Sequence, residues 1–111
     1  MNARAERNLK ALDRLGEGRF IAFLRSQKDD GDILAVKFFN DGLDEGVPMR
    51  EILTEGDAFG YQLEVSSVSA DRFRIDFGCL AGPEAGDGGT WEVEFDGDRP
   101  VEVVASRHWV C

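Results

Sequence analysis

Three absences narrow the reading of this chain before any pattern is considered. Cysteine occurs only at Cys79 and Cys111, too few for a disulfide framework, so both are expected as free thiols in a reducing compartment. Histidine occurs only at His108, and one imidazole with two distant thiols cannot assemble a structural zinc site. The longest uninterrupted apolar run, Phe20 to Leu24, is far below the roughly 20 residues that a membrane-spanning helix requires. Residues 1–15 are studded with charge where a signal peptide would carry its apolar segment, and the expectation is a cytoplasmic protein away from membranes. There is no Gly-x-Ser-x-Gly elbow, no internal repeat and no linker, so residues 1–111 read as a single domain.

Basic charge is scarce beyond the first quarter of the chain. The net charge of −9 is divided unevenly: residues 1–28 hold seven Lys/Arg against three acids, and residues 29–111 hold six against nineteen. An acidic majority repels a phosphate backbone, which argues against nucleic acid. Arg4, Arg7, Lys10 and Arg14 read as the wet face of a helix. Between Asp29 and Asp57 lie nine acids and only Lys37 and Arg50. Asp29, Asp30, Asp32, Asp41, Asp44 and Glu45 are thus candidates for a surface that steers a basic protein partner, although acidity also serves solubility. Asp29, Asp30 and Asp32 lack the spacing and closing Glu of a calcium loop, so no metal is expected. Gly86-Asp-Gly-Gly89 lacks the Lys and following helix of a phosphate loop and reads with its neighbours as a Gly-rich loop over residues 81–88. No cofactor is expected.

What is present is patterned. Ala5, Leu9, Leu12 and Leu15 recur at helical spacing, with Asn2 as N-cap, Glu6 and Lys10 paired at i,i+4, and Gly16 as the stop. Residues 19–25 and 33–39 flank the turn at residues 28–32. As strands they form a hairpin, favoured by Ile33, Val36, Phe38 and Phe39. As helices they put Phe20, Phe23 and Leu24 on one face and use Asp32 as a cap. The hairpin is the preferred expectation. Pro48, Met49, Ile52 and Leu53 suggest a short helix. Alternation then takes over: Tyr61, Leu63 and Val65, next Phe73, Ile75, Phe77 and Cys79, then Trp91, Val93 and Phe95 before Asp96-Gly97, and a last run to the end. This predicts a four-strand antiparallel meander, with Ser69-Ala70 turning the chain so that Glu64 faces Arg74. Glu92 and Glu94 lie beside Arg72 and Arg74, and opposite charges across strands help hold register.

The order of these elements, and a terminal hairpin running from Trp91 to Phe95 through Asp96-Gly97 to Val101–Trp109, resembles the nuclear-transport-factor-like superfamily in its compact SnoaL-like form. A cystatin-like arrangement fits nearly as well. The resemblance implies an α+β fold with helices packed on a curved antiparallel sheet of four to six strands. It also implies a concave pocket between the layers and pairing as a homodimer through the convex sheet face. Look-alikes include isomerases, cyclases, dehydratases, toxin-immunity proteins and non-enzymatic binding domains, so fold alone leaves function open.

Within that frame Trp91, Trp109, Tyr61 and His108 are the candidates for a ligand site. Strict alternation places His108 with Val104 and Ser106 and opposite Trp109, and a bulge near Ser106-Arg107 would reverse it. Cys79 reads as a small core residue. Asp76 faces outward by parity, and Asp57 is a loop acid. The first expectation is a small acidic binding domain without catalysis that engages a protein or a small apolar ligand, in its sharpest form an immunity- or inhibitor-type protein. The alternative is a cofactor-independent SnoaL-like enzyme with His108 as the base.

Overall fold

The computed structural model describes residues 2–56, 59–82 and 85–110, so Asp57 and Cys111 lie outside the described residues. Helices α1 (Ala3–Leu15), α2 (Glu17–Asp29), α3 (Ile33–Asn40) and α4 (Met49–Thr54) precede strands β1 (Gly60–Ser67), β2 (Arg72–Gly82), β3 (Ala85–Asp96) and β4 (Arg99–Val110). The strands form one antiparallel sheet in the order β1-β2-β3-β4. The α+β class and the four-strand meander stand, and the sheet described has four strands, the lower bound of the expected four to six.

Residues 19–39 do not form the expected hairpin. They are α2 and α3, joined across a turn. Asp32 supplies the deciding local signal: its Oδ1 accepts from the Ala35 amide at 2.9 Å, starting α3. Leu34, Ala35, Phe38 and Phe39 then fall on one buried face, and the apolar packing outweighs the strand preference of Ile33 and Val36. The helix layer meets the sheet through aromatic edges. Phe20 packs on Phe77 at 5.3 Å between ring centroids, Phe38 on Tyr61 at 4.8 Å, and Phe23 on Trp91 at 5.4 Å. The space between the layers is filled with side chains.

The buried stripe of α1 is broader than the apolar spacing suggested. Arg4 and Asn8 are buried with Ala5, Ala11, Leu12 and Leu15, which corrects the placing of Arg4 on the wet face. Both reach the edge of β1. The Asn8 amide donates to the carbonyls of Leu53 and Tyr61, each at 2.7 Å, and its oxygen accepts from the Leu63 amide at 2.9 Å. The Arg4 guanidinium donates to the carbonyls of Leu53, Glu55, Gly56 and Tyr61.

Three expectations about the sheet need correction. First, Glu64 faces Asp76, and Arg74 faces Ser66. The amides of Val68 and Ser69 both donate to the Arg72 carbonyl, so the turn is longer than predicted and the register slides. Arg72 still gathers carboxylates, lying 3.2, 3.5 and 2.8 Å from Glu92, Glu94 and Glu102. Second, the Gly-rich stretch is strand in its described parts, with Gly78 opposite Gly88 and Phe77 opposite Gly89. The missing Cβ atoms make room for an indole, since a Cβ on Gly88 would stand 2.5 Å from the Trp109 ring. Third, Thr90 pairs with Arg107 while Trp91 pairs with Ala105, leaving Ser106 as a bulge. The bulge reverses the faces beyond it, and its hydroxyl donates to the Thr90 carbonyl at 3.2 Å.

Candidate functional site

The acids of the central stretch gather around α3. Asp29 and Asp30 end α2, Asp32 and Asp41 cap α3, and Asp44 and Glu45 lie on the short 3-10 turn Leu43–Glu45. Asp32 is half-buried and the other five are exposed. Lys28 ties the end of α2 to this turn, its Nζ 3.1 Å from Asp44. Lys37 is held by Asp41 at 2.8 Å, an i,i+4 pair, and Arg50 pairs with Asp13 at 2.8 Å instead. Among the described residues Asp29, Asp30 and Glu45 form no ion pair, so their charge is presented outward.

Asp41 also borders a recess of about 620 Å³ lined by Lys37, Tyr61, Cys79, Ile52 and Phe59 among others. The Tyr61 hydroxyl donates to Asp41 at 2.7 Å. Burial works to raise the Asp41 carboxyl, but hydrogen bonds from Lys37 and Tyr61 and the Lys37 charge leave it below its usual range. Burial first, then the bond to Asp41, pushes the Tyr61 hydroxyl well above an ordinary phenol. Burial likewise pushes the Cys79 thiol up, against the opposing pull of Lys37. A protonated buried thiol is a poor nucleophile, and a phenol locked on an ion-paired carboxylate is a poor acid or base. This group is built to hold shape and polarity.

Three of the four expected ligand residues, Trp91, His108 and Trp109, border one recess, and Tyr61 lies at another. Tyr61 and Trp91 are core, 5% and 2% exposed. The Ser106 bulge turns His108 to the helix side, where its ring meets Trp91 edge-on at 5.5 Å. Trp109 is turned to the opposite face and lies over Gly78 and Gly88, so the two tryptophans do not stack. His108, Trp91 and Trp109 line a recess of about 170 Å³ with Asp32, Ile33, Leu34 and Val110 among others. No carboxylate among the described residues hydrogen-bonds the imidazole. The Trp91 indole N–H is buried and has no hydrogen-bond acceptor among the described residues.

Sequence reasoning missed the Lys37–Asp41–Tyr61 group and the Arg4 and Asn8 contacts to β1. The first carried a usable signal, since Lys37 and Asp41 stand at i,i+4 once residues 33–40 are read as helix. Among the described residues no set of three or more His, Cys, Asp or Glu is arranged to hold a metal ion, and no helix is long and apolar enough to cross a membrane. No family model, curated protein or solved structure matches the chain.

Proposed function

We propose that this protein is a small non-catalytic binding domain that presents the acidic end around α3 to a basic surface of a protein partner, as an inhibitor or immunity protein would. The supporting observation is the exposure of Asp29, Asp30, Asp44 and Glu45 on adjoining elements, with both nearby lysines engaged by Asp41 and Asp44. Uncompensated charge of one sign speeds encounter with an opposite surface and discriminates among partners. Helices on one face of a bulged meander, closing in the Trp91–Phe95 hairpin, support a nuclear-transport-factor-like or cystatin-like relationship.

The test is capture from cell lysate by the full chain and by an Asp29→Asn/Asp30→Asn/Glu45→Gln variant of unchanged circular dichroism. A basic protein retained at low salt by the first and lost by the second is the expected result. Equal retention by both would remove the acidic face from the reading.

A second reading, the SnoaL-like enzyme with His108 as base, is favoured by the orientation of His108 and the unpaired N–H of buried Trp91. Its recess of about 170 Å³ is smaller than the roughly 300–1,000 Å³ usual for small-molecule sites. A proton NMR titration of His108 against small apolar carbonyl compounds separates the two. A ligand-induced shift would bring the enzyme forward, and an indifferent resonance would leave the acidic binder.

A further inference from the structure

Strand β4 is a long edge strand with almost no cover. Pro100 and Val103 are half-buried and its other ten residues are exposed, among them Val101, Val104, Trp109 and Val110. Soluble proteins ordinarily shorten, charge or cover such an edge, because its free amides and carbonyls template another strand. Its local charge also departs from the rest of the acidic region: Arg99 and Arg107 outnumber Glu102. A second copy can therefore approach here without bringing two strongly acidic surfaces together.

The pleat and the bulge select the partner. Val104 pairs with Glu92, Glu102 with Glu94, Arg99 with Asp96, Arg107 with Thr90 and Trp109 with Gly88, so all five lie on the face of the sheet turned away from the helices. Glu102 and Arg107 are an odd number apart and share that face only because Ser106 is bulged. We propose that a second copy of this chain docks on β4 as an antiparallel strand, related by a two-fold axis at Val104. In this register Val104 meets its own counterpart. Glu102 of each copy, held at 2.8 Å by Arg72 of its own chain, also meets Arg107 of the other, and Arg99 of each, 3.6 Å from its own Asp96, meets the Trp109 ring of the other. Each face matches itself, each opposite charge is paired across strands, and a guanidinium lies on an exposed indole. An isologous contact of this kind closes after two copies. The convex-face pairing that the family resemblance implies would use the broad surface of the sheet, and this one uses its rim.

Sedimentation equilibrium on the full chain provides the first test, with a dimer expected for the wild type. Val104→Lys places two cations on the axis and is expected to weaken self-association by about tenfold or more, with unchanged circular dichroism. Glu102→Arg and Arg107→Glu should each weaken the dimer, and the double variant should restore it. In a Cys111→Ser background, Val104→Cys should cross-link to its counterpart under mild oxidation, because residues directly opposite in antiparallel strands lie near disulfide range. Val101→Cys, off the axis, should not. A monomer at millimolar concentration overturns the proposal, as does a dimer indifferent to Val104→Lys or cross-linked equally by both cysteines. None of these substitutions touches Asp29, Asp30 or Glu45, so this test and that of the acidic face fail separately.

Discussion

The two edges of the sheet are treated in opposite ways. At β1, α1 lies along the rim and Asn8 imitates a neighbouring strand, accepting from the Leu63 amide and donating to the Tyr61 carbonyl. Arg4 closes the approach by gathering four carbonyls. At β4 no helix among the described residues plays that part, and apolar side chains stand exposed along the rim. A chain able to seal one edge with two polar side chains has left the other free. The difference teaches that an open edge is informative when the same molecule shows how it closes one.

That contrast can be broken by measurement. The largest effect is expected at the sealed rim: Asn8→Ala strands the Leu63 amide and leaves the Leu53 and Tyr61 carbonyls to Arg4 alone, and should cost about 2–4 kcal/mol in urea unfolding. Gly88→Val comes next on the open side, where the new Cβ would collide with Trp109. A loss of about 1–3 kcal/mol is expected, with a red shift in tryptophan emission as the ring leaves its glycine floor. Tyr61→Phe removes the bond to Asp41 at the end of β1, worth about 0.5–1.5 kcal/mol at neutral pH.

This last effect depends on pH. A carboxyl held below its ordinary value stabilises the fold where it is ionised, above its unfolded pKa of about 3.9, and loses that contribution as pH falls through the folded value. The gap between wild type and Tyr61→Phe should therefore narrow below about pH 4, modestly, because Asp41 is partly exposed and screened by solvent. The smallest effect is at the open rim itself, where Val104→Lys should change monomer stability by less than about 0.5 kcal/mol. Should Asn8→Ala cost no more than Val104→Lys, the two edges would be energetically alike and the contrast would dissolve.

Legibility followed periodicity. The strands announced themselves through strict alternation, from Tyr61–Val65 to Trp91–Phe95, because period two has few competing explanations. The first helix and the short one after Pro48 were equally plain. Residues 19–39 were not, since Ile33, Val36 and Phe38 favour a strand by local preference, and only the Asp32 cap and the packing of Phe20, Phe23 and Phe38 on the sheet decide for helix. The acidic surface could be read as composition, but its gathering around α3 depended on that same decision. Arg4 reads as an ordinary solvated helix residue and Asn8 carries no signal, because their partners lie some fifty positions away along the chain. The face of His108 hung on a single extra residue. Alternation places such a reversal near Ser106-Arg107, where it falls, but does not require it.

The Asn8 contact sets how many neighbours a copy of this protein accepts. With β1 sealed and β4 open, each molecule has a valence of one, and edge-to-edge growth stops at a pair. Removing the first turns of α1 while keeping the sheet would raise that valence to two, with strand adding to strand at both rims and no symmetry operation to end the series. Two polar side chains of one helix, lying where a fifth strand would otherwise sit, separate a finite particle from a ribbon.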